Sequence, residues 1–179
     1  MKNSATFFQK TTLLLTFCLL AGTGTFLSGH EKEEKTSSEP VSLTLPDSLQ
    51  QVKLGITGST FAVRDSISWT VTSKEGKTLG VLVSSESLGK KIEGYMGPVP
   101  VFILIGLDNK ILKMTTGNNE DTPEYLEIAE EGLYSKWCGI DAKAAEKVKV
   151  DAVSGATYSS LGIIQNVWKA LAAYNASKK

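Results

Sequence analysis

A run of small residues directly before an amphipathic C-terminal segment constrains this chain more than any other feature. The run covers residues 151–160 and contains the tetrapeptide Ser-Gly-Ala-Thr at 154–157. Its glycine permits backbone angles that other residues resist, and Ser154, Thr157 or Ser159 can cap the helix that follows. The free N–H groups and positive dipole end of a helix start favour an anion such as phosphate. The pattern therefore predicts a tight turn that presents the Thr157 hydroxyl beside an anion site.

The segment after this turn has one apolar face. Its apolar residues recur at spacings of three and four, which is typical of a helix that packs on a core. They are Leu161, Ile164, Val167, Trp168 and Leu171. We expect a helix from Ser159 to about Tyr174, with Thr157 at its start.

The middle of the chain predicts a largely antiparallel sheet. Residues 66–72 alternate between apolar and polar, a turn follows, and residues 79–84 return as a second strand. The nearly continuous apolar run at 98–107 predicts a central strand, and a turn at 108–110 leads into residues 111–116 as its hairpin partner.

Helices follow the strands. Thr122 can cap a helix with Pro123 at its first position, which predicts a helix to about Tyr134, and residues 141–148 predict a shorter one. The fold class is therefore α+β: a single domain in which helices pack on a largely antiparallel sheet.

The N-terminal region predicts export. Residues 1–29 contain Lys2 and Lys10 ahead of an apolar stretch and no acidic residue, which predicts a signal peptide or an uncleaved membrane anchor. Residues 30–46 are polar and charged and predict a solvated tether. Residues 47–179 then form the folded domain. We expect the domain at the extracytoplasmic (periplasmic) face of the membrane, or free in the periplasm after cleavage.

Composition excludes several functions. The formal net charge of the 179 residues is zero, which disfavours a nucleic-acid binder. The only histidine, His30, lies in the tether, so the domain offers no histidine for a Ser/His/Asp hydrolase or a zinc site. Cys138 is the only cysteine after the leader and is expected to be a packed thiol.

Two further motifs accompany the turn. The segment Gly94-Tyr95-Met96-Gly97-Pro98 precedes the apolar strand, and Asp121-Thr122-Pro123 comes between the sheet and the turn. Together with the Asp-Ala-Val-Ser-Gly-Ala-Thr run at 151–157, they resemble the FMN-binding domain family. This family includes the C subunit of sodium-pumping NADH:quinone oxidoreductase and the G subunit of Rnf-type complexes.

The resemblance implies a covalent cofactor. In the family a flavin transferase uses FAD as donor and joins FMN through its phosphate to the last threonine of the motif, here Thr157. The resemblance implies that Asp151 is recognised by the transferase or shapes the turn. Tyr95 is a candidate for stacking on the flavin. The other cofactor-binding residues implied are Ser154, Gly155, Ala156, Tyr158, Ser159, Gly94, Gly97 and Thr122.

The resulting functional prediction is an exported, membrane-associated flavoprotein that relays electrons between membrane or extracytoplasmic redox proteins. Two alternatives stay open. In the first, the chain is a peripheral FMN subunit of an Rnf-type or sodium-pumping ion-translocating oxidoreductase. In the second, it is a non-redox exported binding module whose turn is only a helix cap.

Overall fold

The centre of the molecule is a five-stranded antiparallel sheet with strand order β1-β2-β3-β4-β5. The computed structural model describes residues 43–178, so the predicted leader and most of the tether lie outside the described residues. The strands are β1 Thr60–Asp65, β2 Ser68–Thr72, β3 Thr78–Ser84, β4 Val101–Gly106 and β5 Ile111–Thr116. Strands β2 to β5 confirm the four predicted strands, and β1 was not predicted. The helices described below complete the predicted α+β architecture.

Strand β4 shows why the sheet needs cover on both sides. Successive side chains of a strand point to opposite faces. Val101, Ile103 and Ile105 belong to a large core cluster with the C-terminal helices, whereas Phe102 and Leu104 belong to a second cluster on the other face. Both faces are therefore buried, which explains the unbroken apolar run in the sequence.

Helix α1 (Ser48–Leu54) covers the second face, and the sequence analysis did not predict it. It begins with a capping box: the Asp47 carboxylate accepts the Gln50 N–H at 2.8 Å, and the Gln50 side chain accepts the Asp47 N–H at 2.9 Å. Leu54 and Ile56 fill the second core cluster. Leu43, within the predicted tether, also packs against that cluster.

Helix α2 (Pro123–Leu133) follows the predicted course, but Thr122 makes no side-chain capping hydrogen bond. A carboxylate in its last turns ties it to the rest of the fold. Glu130 accepts hydrogen bonds from the N–H and hydroxyl of Thr116, at 2.9 and 2.7 Å, and pairs with Lys53 at 2.9 Å. Burial raises the pKa of Glu130, but these hydrogen bonds outweigh it, so the pKa lies below its ordinary value.

A short 3-10 turn (Tyr134–Lys136) and helix α3 (Ala142–Ala145) lead towards the C-terminus. Helix α3 is shorter than predicted, and it is capped by Asp141, whose carboxylate accepts the Lys143 N–H at 2.9 Å. The prediction of a packed Cys138 was wrong, because the residue is exposed. Partial desolvation nevertheless raises the pKa of its thiol.

Helix α4 (Thr157–Ala176) has 20 residues and packs on the large core cluster. Two residues of its predicted apolar face are exposed: Leu161 at 42% and Trp168 at 37%. The buried face includes Gly162, which lies against the backbone of Gly94, where a Cβ would come within 3.0 Å. Trp168 instead donates its indole N–H to the Val148 carbonyl at 3.1 Å. Within residues 43–178, none of the helices is long and apolar enough to cross a membrane.

Candidate flavin-attachment site

The turn before helix α4 is anchored on the core. The Val153 N–H donates to the buried Ser160 hydroxyl at 3.1 Å, and the Ala156 N–H donates to the Val153 carbonyl at 3.1 Å. Val153 packs where Gly132 of α2 leaves room, since a Cβ on that glycine would lie 2.5 Å from Val153. Ala156 is buried beneath the turn. The turn is therefore fixed to both α2 and α4.

Gly155 is required for its backbone conformation rather than for space. Its φ is +86°, which side-chain-bearing residues rarely adopt, and a Cβ there would meet nothing within 4 Å. The surroundings of the turn are thus open on the side away from the core. This openness leaves the neighbouring Thr157 side chain exposed.

The start of helix α4 has no side-chain cap. Ala156 occupies the capping position, so the prediction that Ser154, Thr157 or Ser159 caps this helix was wrong. The first helical hydrogen bond runs from the Ser160 N–H to the Ala156 carbonyl at 2.9 Å. The N–H groups before it have no partner within the helix. An exposed hydroxyl therefore stands beside N–H groups and a dipole end that favour an anion.

A groove of about 230 Å³ opens beside Thr157. Three tyrosines from three different segments form much of it. The ring of Tyr95 meets Tyr125 edge-on with centroids 5.5 Å apart, and it lies 6.3 Å from the ring of Tyr158. The lining residues are Tyr95, Tyr125, Gly155, Ala156, Thr157, Tyr158 and Ser159.

Ser159 has a distinctive setting in this groove. Its side chain is only 1% exposed, and among the described residues its hydroxyl has no hydrogen-bond partner. Leaving a buried hydroxyl without a partner costs free energy. A residue of the groove lining therefore carries a buried hydroxyl without a partner.

The loop that carries Tyr95 is held by a carboxylate whose role the sequence analysis missed. Asp121 is 5% exposed and accepts the N–H groups of Tyr95 at 3.2 Å, Met96 at 3.1 Å and Thr122 at 3.0 Å. Asp121 was quoted in a motif, but only the tertiary structure pairs that motif with the Tyr95 loop.

Two glycines permit this arrangement. A Cβ on Gly94 would lie 2.6 Å from the Asp121 carboxylate, so only a glycine fits there. Gly94 also donates its N–H to the Gly97 carbonyl at 2.7 Å, and Gly97 has a φ of +143°. These glycines shape the loop without lining the groove.

The structure thus brings together six of the predicted site residues, and five lie outside the groove. Within it are Thr157, Gly155, Ala156, Tyr158, Ser159 and Tyr95. The five that do not line it are Ser154, Asp151, Gly94, Gly97 and Thr122. Ser154 and Asp151 are exposed. Tyr125 lines the groove and was missed, because a single tyrosine early in a helix carries no motif.

These features describe a domain suited to a flat aromatic molecule with an anionic group. Comparison with known families agrees: residues 94–172 match the family model of the FMN-binding domain. The matched segment, which contains the whole groove, belongs to the FMN-binding domain family, and the protein is a flavoprotein by that domain. A comparison with curated proteins finds no match to this chain.

Proposed function

We propose that this protein carries FMN covalently on Thr157 and relays electrons between redox partners outside the cytoplasm. The observation that best supports covalent attachment is the exposed Thr157 hydroxyl at the start of a 20-residue helix without a side-chain cap. A phosphoester on this hydroxyl would place negative charge beside free N–H groups and the positive end of the helix dipole.

The groove residues fit such a group. The N–H groups of Tyr158 and Ser159 would face the phosphate, and the buried Ser159 hydroxyl would gain a partner. The Tyr95 ring offers an apolar surface for the isoalloxazine. When bound, FMN supplies the reversible uptake of electrons, and the protein supplies its position and electrostatic surroundings.

Attachment is proposed to require a flavin transferase. The Thr157 oxygen would attack the FMN phosphorus of FAD and form a phosphoester, while the pyrophosphate bond breaks and AMP leaves. The hydroxyl proton would pass to a base on the transferase, because the groove lining contains no carboxylate or histidine to accept it. The exposure of Asp151 suits recognition by that enzyme.

The proposed location follows from the N-terminal sequence. The leader predicts passage across the membrane, and it lies outside the described residues. A covalent bond is advantageous there, because a dissociated cofactor would be lost from the cell. The proposed electron donors and acceptors are therefore membrane or extracytoplasmic redox proteins.

The test is co-expression with a flavin transferase, followed by denaturing-gel fluorescence and intact mass. Wild type and Ser135→Ala should both show a fluorescent band and a mass increase equal to FMN less water. Ser135 is the control, since it is an exposed hydroxyl residue outside the motif and the groove. Thr157→Ala should show neither signal. An unlabelled wild type, with a control acceptor labelled in the same cells, would contradict the proposal and favour a non-redox binding module.

A further inference from the structure

We propose that Tyr125 is a flavin-contacting residue that positions the isoalloxazine and quenches its fluorescence. This inference rests on the proposed function, because it takes FMN to be attached at Thr157. It adds a residue from helix α2 that none of the sequence motifs indicated. The observation behind it is that Tyr125 of α2 lines the same groove as Thr157, which begins α4.

The groove tyrosines keep much of their aromatic surface in solvent. Tyr95 is 54% exposed, Tyr125 is 39% exposed and Tyr158 is 66% exposed. Clustered exposed aromatic residues usually mark a binding surface, since a folded protein gains by burying them. A flat aromatic ligand in the groove would cover this surface.

Tyr125 lies on a helix that is anchored to the sheet. It lies in the first turn of α2, immediately after Pro123 and Glu124, and the Glu130 network anchors the same helix to β5. Its ring meets the Tyr95 ring at an interplanar angle of 84°, with centroids 5.5 Å apart. Asp121 holds the backbone of Tyr95 in turn. The pair therefore presents a preorganised aromatic corner to a ligand.

This geometry has a spectroscopic consequence. An excited flavin in contact with a phenol ring takes an electron from it and returns the electron as it decays, so emission falls with no net oxidation. Phenylalanine packs similarly but is far harder to oxidise. Tyr125→Phe is therefore expected to raise flavin emission while the flavin stays immobile, and Tyr125→Leu to raise emission and also lower its anisotropy.

The experiment uses flavinylated full-length protein in which Tyr95 and Tyr158 are phenylalanine, so that Tyr125 is the remaining groove tyrosine. Emission per attached FMN and anisotropy are measured before and after unfolding in denaturant. Loss of an aromatic contact should lower the ratio of docked to free flavin roughly two- to tenfold in Tyr125→Leu. Ile128→Ala is the matched control, because Ile128 is an exposed residue one turn further along α2 that does not line the groove.

The outcomes separate this inference from the function on which it rests. Covalent FMN with emission and anisotropy unchanged by both Tyr125 substitutions would overturn the role of Tyr125 and leave the carrier function standing. An equal change in Ile128→Ala would also overturn it, because the effect would then belong to the helix as a whole. A wild type without attached FMN would overturn both.

Discussion

The start of helix α4 differs from other places in the fold where backbone N–H groups have no partner within a helix or strand. At α1, at the Tyr95 loop, at the end of β5 and at α3, a carboxylate accepts those N–H groups: Asp47, Asp121, Glu130 and Asp141 respectively. The starts of α2 and α4 have no side-chain cap. Helix α2 begins with Pro123, which has no N–H to satisfy, whereas the first positions of α4, the longest of the described helices, all carry N–H groups.

The contrast indicates where stability has been left incomplete. A helix cap typically contributes about 1 kcal/mol, and the largest described helix forgoes it beside an exposed hydroxyl. Incomplete satisfaction of polar groups tends to occur where a protein works rather than where it only folds. The open helix start lies at the groove, as does Ser159, which is one of five described residues with a buried polar side-chain atom that lacks a partner.

The largest effect should come from breaking the carboxylate at the Tyr95 loop. Asp121→Ala leaves three partly buried N–H groups without their acceptor, so we expect a loss of about 2–4 kcal/mol in the free energy of unfolding. Chemical denaturation of unmodified protein measures it. Asp151→Ala is the control, because that exposed carboxylate should matter by less than about 0.5 kcal/mol. Equal effects of the two substitutions would contradict the assigned role of Asp121.

The next effect concerns Glu130 and depends on pH. Its pKa is lowered in the folded protein, so the ionised carboxylate adds stability above its unfolded pKa, and this stability is lost as pH falls through the folded pKa. Glu130→Gln should cost about 1–3 kcal/mol at pH 7 and much less in acid. Urea unfolding of both proteins at several pH values measures the difference. A cost that stays constant down to acid pH would show that the charge is not what Thr116 and Lys53 bind.

A smaller effect is expected at the start of α1, which has the side-chain cap that α4 lacks. Asp47→Ala removes the capping box of α1 and should cost about 1 kcal/mol. Ser48→Ala, one residue further on, serves as control because the Ser48 side chain has no part in the capping box. Thermal melting compares the two variants. An Asp47 variant as stable as wild type would show that a side-chain cap adds no stability in this fold, which would contradict the contrast between α1 and α4.

The smallest effect concerns the open start of α4 itself. A phosphoester on Thr157 should stabilise the helix by about 0.3–1 kcal/mol through the N–H groups and the dipole, and added salt should weaken this gain. Melting of flavinylated and unmodified wild type at low and high salt measures it. If the flavinylated protein is no more stable than the unmodified protein at low salt, the N–H groups at the start of α4 do not bind the phosphate.

The sequence predicted the parts of the molecule that local pattern determines. Strand β5 matched its predicted bounds because the long apolar strand and the turn at 108–110 before it mark it as a hairpin partner. Helix α1 was missed because it spans only seven residues, and the edge strand β1 because its side chains are mostly exposed and lack a clear apolar period.

The candidate site divides in the same way. The turn at 151–157 was predicted because its small residues and the helix after it are adjacent in sequence. The clamp by Asp121 and the wall formed by Tyr125 depend on contacts between distant segments, which no periodicity reveals. The close approach of Gly162 to Gly94 also depends on such a contact, and the apolar spacing of the helix did not reveal it.

The most direct test of the account is peptide-level mass spectrometry of protein co-expressed with a flavin transferase. Fragmentation of the peptide that contains residues 151–160 distinguishes Thr157 from Ser154, Ser159 and Ser160. The account predicts FMN on Thr157 alone, at the open helix start. FMN on another hydroxyl, or an unmodified peptide beside a labelled control acceptor, would contradict it.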